Sequence, residues 1–191
     1  MRVDFLEFKN KVGGKVFSIN DIYKLFQDKK DYFIRQKLHR YQKKGLIHRL
    51  KKGLYCFDIN DFHPFEMANF LYQPSYISCQ SALFYYGIII DVPQKITSIT
   101  TVTTKRLVNE FGSFIYYKIN KILYYGFETK EINHSKAKIA TPEKALLDFF
   151  YINKIKNIVD LRLNLKNLDK NKYFKLMENY PSWIKKIKLN F

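Results

Sequence analysis

The sequence predicts an α+β fold in two parts: a basic head over residues 1–60 and a larger α+β domain over residues 61–191. Three observations carry that reading. The first is composition: of 191 residues, 47% are hydrophobic and 17% aromatic, enough to bury a core and unlike the polar make-up of disordered chain. The second is texture, which is helical in its apolar spacing through the first half, turns alternating and β-branched beyond Pro93, and becomes helical again from Thr141. The third is charge. Residues 1–60 carry 15 Lys+Arg against 6 Asp+Glu, residues 61–150 carry 9 against 8, and residues 151–191 carry 10 against 3, so the formal +17 collects at the two ends. An excess of lysine imposed by an AT-rich genome would be spread evenly; this one is not.

The head is built from four elements. "FSINDIYKLF" opens with Ser18, and Asp21 stands three residues on, a variant capping box for a helix whose apolar face is Ile22, Leu25 and Phe26. "DYFIRQKLHRYQKKG" has Asp31 as its expected N-cap, Ile34, Leu38 and Tyr41 at i, i+4 and i+7, and Gly45 as its stop. At 3.6 residues per turn the face opposite Leu38 consists of Gln36, Arg40 and Lys43, flanked by Tyr32, His39 and Lys44. "LIHRL" and "GLYCF" are short β-type runs joined by "KKG", which predicts a hairpin carrying Arg49, Lys51 and Lys52. Helix, turn, helix and basic hairpin in this order describe a winged helix-turn-helix. In such a fold the second helix enters a DNA major groove and the wing reaches the backbone beside it. The expected DNA-binding residues are therefore Tyr32, Gln36, His39, Arg40, Lys43, Lys44, Arg49, Lys51 and Lys52. The competing reading is a solvated face whose lysines only keep the chain in solution. His39 and His48 lack the spacing and the carboxylate of a metal site.

"FDINDFHP" reads as a linker, with Pro64 set for the first turn of another helix. In "PSYISCQSALFYYGII", Ser78 is the expected N-cap, Gly87 the terminator, and Ala82, Leu83 and Tyr86 the inward stripe. Ser78 lacks a glycine elbow and a histidine partner, so capping is preferred to nucleophilic chemistry. "KITSITTVTTK", "GSFIYYKI", "KILYYGFE" and "KAKIA" predict the strands of a small, mainly antiparallel sheet. "ATPEKALLDFFYI" starts a helix with Thr141 as cap, Pro142 at its first position and Glu143 in its first turn, with Ala145, Leu146 and Phe149 inward. Glu143 and Asp148 are read as helix-capping and surface acids, since five residues apart they face different ways. Two C-terminal helices are expected, one capped by Asp169 and stopped at Pro181, the other placing Trp183, Ile184 and Ile187 on one face, read first as docking on its own domain, with a second phosphate-contact patch and a membrane-surface helix as the less favoured uses. No phosphate-binding glycine loop, grouped carboxylates or His/Cys cluster is seen, so neither catalysis, a cofactor nor a metal is expected. Cys56 and Cys79 form no CxxC pair. No apolar run is long enough to span a bilayer and "MRVDFLEFKN" is no signal peptide; the expectation is a soluble cytoplasmic protein without a membrane partner.

Four stretches, "LHRYQKKGLIHRLKKGLYCF", "PSYISCQSALFYYGII", "VPQKITSITTVTTKR" and "ATPEKALLDFFYI", together resemble the AbiEi family. These are the antitoxins and transcriptional regulators of type IV abortive-infection toxin–antitoxin systems. The resemblance covers most of residues 31–152. It implies a winged helix that binds double-stranded DNA at the operator of its own operon, and a second domain that counters a nucleotidyltransferase-like toxin. A stand-alone winged-helix repressor with no toxin is the alternative, and a nucleic-acid-processing enzyme the less favoured one.

Overall fold

The computed structural model describes residues 4–109, 111–158 and 161–189. It is a mixed α+β chain with eight α-helices and two sheets among those residues. The chain divides into two compact units, Met1–Phe62 and His63–Phe191.

The first unit contains α1 (Phe5–Val12), β1 (Val16–Ser18), α2 (Ile19–Leu25), α3 (Asp31–Lys43), β2 (His48–Lys51) and β3 (Leu54–Cys56). Neither α1 nor β1 was expected. α1 is short, capped by Asp4 and ended by Gly13 in the left-handed region at φ +71°. Its Phe8 sits in a core with Phe17, Ile22, Phe26, Ile34, Leu38, Tyr41, Ile47 and Phe57. Aromatic edges and faces meet throughout that core, as where Phe17 lies 4.9 Å from Phe57. β1 pairs antiparallel with β3, and β3 with β2, so the expected hairpin gains a third strand. The capping box at α2 is formed on both sides: the Asp21 amide donates to Ser18 Oγ and the Ser18 amide to Asp21 Oδ2. At α3 the expected cap is displaced by one residue. Lys30 occupies the N-cap position and makes no side-chain cap bond, while Asp31 is the first helical residue, where its charge suits the helix dipole.

The second unit begins with α4 (Pro64–Leu71), capped by His63, whose Nδ1 accepts from the Phe65 amide at 3.2 Å. β4 (Ser75–Ile77), α5 (Cys79–Tyr85), β5 (Ile96–Thr100), β6 (Lys105–Asn109), β7 (Gly112–Lys118), β8 (Phe127–Ile132), β9 (Ser135–Ala140) and α6 (Pro142–Asn153) follow. The last elements are α7 (Lys170–Met177) and α8 (Ser182–Lys185). The strands make one sheet in the order β6-β7-β5-β4-β9-β8. Three neighbour pairs are antiparallel, but β5 with β7 and β4 with β9 run parallel, so the sheet is mixed. The expected strand "KILYYGFE" is corrected: Lys121–Leu123 form a 3₁₀ turn capped by Asn120, and β8 starts only at Phe127. The β8–β9 hairpin turns on Asn133 and His134, both at positive φ (48° and 62°), as a two-residue turn matched to the strand twist requires.

Helices cover both faces of this sheet. The Tyr116 hydroxyl donates to the Ala68 carbonyl at 2.7 Å and ties one face of β7 to α4. On the other face Thr97 Oγ1 accepts from the Ser81 amide at 3.0 Å and ties β5 to α5. Thr141 caps α6 by accepting from the Lys144 amide, with Pro142 in the first turn. Ile184 and Ile187 of the C-terminal segment are buried, and Trp183 stacks on Tyr151 of α6 with centroids 6.2 Å apart.

Candidate nucleic-acid interface

α3 is amphipathic because its two kinds of side chain alternate at helical spacing. Ile34, Leu38 and Tyr41 are buried in the core of the first unit, which fixes the rotation of the helix about its axis. The opposite side then faces water by geometry. Tyr32, Gln36, His39, Arg40 and Lys43 are all exposed on it, with Lys44 directly after its last turn. Thirteen residues at about 1.5 Å rise give a rod of roughly 20 Å. Gly45, at φ +67°, reverses the chain after α3, and the Leu46 amide donates back to the Tyr41 carbonyl at 3.0 Å.

The hairpin tip is held in a comparable way. Gly53 adopts φ +77°, and its carbonyl accepts from the Ile19 amide at 2.9 Å, pinning the tip to the start of α2. Leu50 points inward while Arg49, Lys51 and Lys52 are exposed. The register of β2 against β3 shifts between Arg49 and Lys51, a local irregularity of the ribbon.

All nine residues read from the sequence as DNA contacts are exposed in the first unit, six on or beside α3 and three on the hairpin. Among the described residues, Arg40, Lys43, Lys44, Arg49 and Lys52 form no ion pair with a carboxylate. Gln36 Nε2 donates to the Tyr32 hydroxyl, so these two side chains stand together at the N-terminal end of the stripe. The sequence reading left out three neighbours. Arg35 Nε donates to the Tyr23 hydroxyl at 3.0 Å, and Phe33 is 57% exposed at the start of α3. Lys37 is only half-exposed, and burial lowers its ammonium from the ordinary lysine range.

The second unit contains a polar cluster that the sequence reading assigned wrongly. Asp148 is not a surface acid; it and Lys144, one helical turn earlier on α6, are wholly buried. Asp148 Oδ1 accepts from Lys144 Nζ and from the Tyr180 hydroxyl, each at 2.6 Å, and Oδ2 from the Tyr76 hydroxyl at 2.9 Å and Ser78 Oγ at 2.7 Å. Lys144 Nζ also reaches the Leu123 carbonyl at 2.8 Å and the Tyr180 hydroxyl. Four acceptor positions on the carboxylate and three donors on the ammonium are thereby filled. Ser78, expected to cap α5, makes no cap bond because its hydroxyl serves Asp148 instead. Glu143 is likewise buried, its Oε1 accepting from the Asp169 amide at 3.1 Å.

Burial, together with Asp148, pushes the Tyr76, Tyr180 and Cys79 groups well above their ordinary values. They stay protonated, and the Cys79 thiol is held away from the thiolate a nucleophile needs. A cluster of this kind, closed to solvent, fastens β4, α6, the 3₁₀ turn and the Tyr180 segment together, and the Asp148 carboxylate and Lys144 ammonium have no position left for a further partner. The signal for it is present in the sequence. Lys144 and Asp148 sit at i, i+4 in a helix whose other faces are Ala145, Leu146, Leu147, Phe149 and Phe150, so neither charge has a wet side.

Among the described residues no helix is long and apolar enough to cross a membrane, and no group of three or more His, Cys, Asp and Glu could hold a metal ion. No protein-family model matches this chain, and no curated protein matches it.

Proposed function

We propose that the protein is a DNA-binding transcriptional regulator whose first unit is a winged helix-turn-helix, with α3 as the recognition helix and the β2–β3 hairpin as the wing. The observation that carries this reading is the exposed stripe of Gln36, His39, Arg40 and Lys43 on α3, in the same unit as a hairpin bearing Arg49, Lys51 and Lys52. Phosphates are met by cations that are not neutralised internally, and base edges by Arg and Gln side chains that project from a helix. Both kinds of group are available here. The resemblance to AbiEi antitoxins supports a narrower reading: the protein represses its own operon and opposes a nucleotidyltransferase-like toxin encoded beside it, acting by binding and not by catalysis.

Anisotropy titrations with duplex DNA from upstream of its own reading frame, against a shuffled duplex of equal length, test the regulator reading. Preference for the native duplex by about 10³-fold or more at a stated salt concentration is expected of an operator binder. Equal affinity for both duplexes contradicts operator recognition. Co-expression with the product of the adjacent gene tests the antitoxin reading: growth restored by this protein supports it, and unrelieved growth arrest contradicts it.

A further inference from the structure

On the sheet face that carries α5, Thr97 of β5, Ile115 of β7 and Arg106 of β6 are successive register partners, so their side chains lie on one side of the sheet. α5 packs on β5 and α6 on β9. Towards β7 and β6 the same face opens into a groove of about 640 Å³, walled by the 89–95 loop and by Leu161–Leu163. Three cations line it, Arg106 from the sheet, Arg162 from the opposite wall and Lys95 from the loop, against one acid, Asp91. None of the three forms an ion pair with a carboxylate among the described residues. Of the rest, Gln94 and Thr97 are polar and most of the others apolar or aromatic, with Ile115 and Phe149 buried and Tyr117 half-buried. Gln80 also lines it, and its carboxamide oxygen is buried with no hydrogen-bond partner among the described residues.

We propose that this groove binds a small organic anion, a carboxylate or a phosphate monoester joined to a flat apolar body. The two guanidiniums take the charge, Tyr117 and Phe149 flank the body, and Gln80 stands in the wall as a polar partner. Its volume is that of a site for one metabolite-sized molecule. The planar fork of each arginine suits a carboxylate or phosphate oxygen pair. A second copy of the chain is a poor occupant, since at +17 it would bring cations to cations.

The test is methyl NMR of the full-length protein, because Ile89, Ile90, Ile115, Leu161 and Leu163 report from around the groove. The probes are AMP and indole-3-acetate, each paired with a neutral counterpart, adenosine and indole-3-ethanol. Expected are saturable shifts confined to those methyls with at least one anion below roughly 5 mM, and binding of its neutral counterpart at least about tenfold weaker. Which anion saturates decides between phosphate and carboxylate. The double variant Arg106→Gln/Arg162→Gln should weaken binding by about tenfold or more, with its methyl spectrum unchanged outside the groove. Lys185→Gln/Lys186→Gln, exposed elsewhere in the same unit, should leave it unchanged. The proposal is overturned if neither anion gives saturable groove shifts, if anion and neutral counterpart bind alike, or if the arginine variant binds as the parent does.

Discussion

Asp148 accepts four hydrogen bonds where water does not reach, so its removal strands Lys144 as a buried charge with two remaining partners. Asp148→Ala is expected to cost about 3–5 kcal/mol, the range for breaking one side of a buried pair. Tyr180→Phe, which removes one donor, should cost about 1–3 kcal/mol. The double change Lys144→Met/Asp148→Leu should cost less than Asp148→Ala alone, because it leaves no unpaired charge. Urea unfolding of the three variants measures this, and an unchanged midpoint for Asp148→Ala contradicts the account of the cluster. His63 gives a pH prediction at the same scale. Burial lowers its imidazole below the ordinary 6.5, with Glu66 opposing in part, and its Nδ1 must stay unprotonated to cap α4. In the unfolded chain His63 takes up a proton at higher pH than in the folded one. Its contribution is therefore complete above about pH 6.5 and declines as pH falls from there towards the folded value. His63→Asn keeps a capping acceptor without the titration. Its thermal midpoint should fall less between pH 7.5 and pH 5.5 than that of the parent, and an equal fall in both proteins would remove His63 from the cause.

At the scale of the element, α3 has a buried face and an exposed one, and the DNA binding we propose falls to the exposed face. Leu38→Ala should cost about 2–5 kcal/mol by opening a cavity in the aromatic core, whereas Arg40→Ala on the wet face should change stability by less than about 0.5 kcal/mol. In DNA binding the order reverses. Arg40→Ala should cost about 1–3 kcal/mol on the operator and little on random duplex, as loss of a base contact does, while Lys52→Ala should weaken both alike. Equal losses on both duplexes for both variants would remove Arg40 from base reading. Elements of this kind were legible in the sequence because an apolar period is joined in each by a cap or a stop: Ser18 with Asp21 at α2, Thr141 with Pro142 at α6, and Gly45 after Ile34, Leu38 and Tyr41 of α3. What was not legible lacked one of these signals. β4 is three residues long and buried on both faces, so Ser75–Ile77 shows no alternation. "KILYYG" has strand composition, but the cap at Asn120 and Gly126 at φ +73° turn it aside. The basic stripe was readable residue by residue, since exposure follows from helical phase. Of the buried cluster only the Lys144–Asp148 pair left a mark in the sequence, its i, i+4 spacing on an apolar helix; its partners Tyr76, Ser78 and Tyr180 are brought to α6 by the tertiary fold.

For the whole molecule, charge and architecture divide the chain at nearly the same place. The first sixty residues hold a net +9, and the first compact unit ends at Phe62. A reading head that works through its surface charge should lose DNA without losing its fold. Arg40→Glu/Lys43→Glu places acids on an exposed face remote from Ile34, Leu38 and Tyr41, so the unfolding midpoint should hold while duplex binding disappears. If the second unit carries the antitoxin activity, this variant should still rescue cells from the adjacent gene's product; failure to rescue, with the fold intact, would tie that activity to DNA. The central claim is that the face of α3 and the hairpin bind DNA through phosphates, and the salt dependence of affinity tests it most directly. With about five phosphate contacts, a plot of log affinity against log salt for the parent protein on its upstream duplex should have a slope of roughly −4 to −5, and Lys52→Ala should reduce that slope by about one. Affinity that does not change with salt, or a slope the same with and without Lys52, would contradict it.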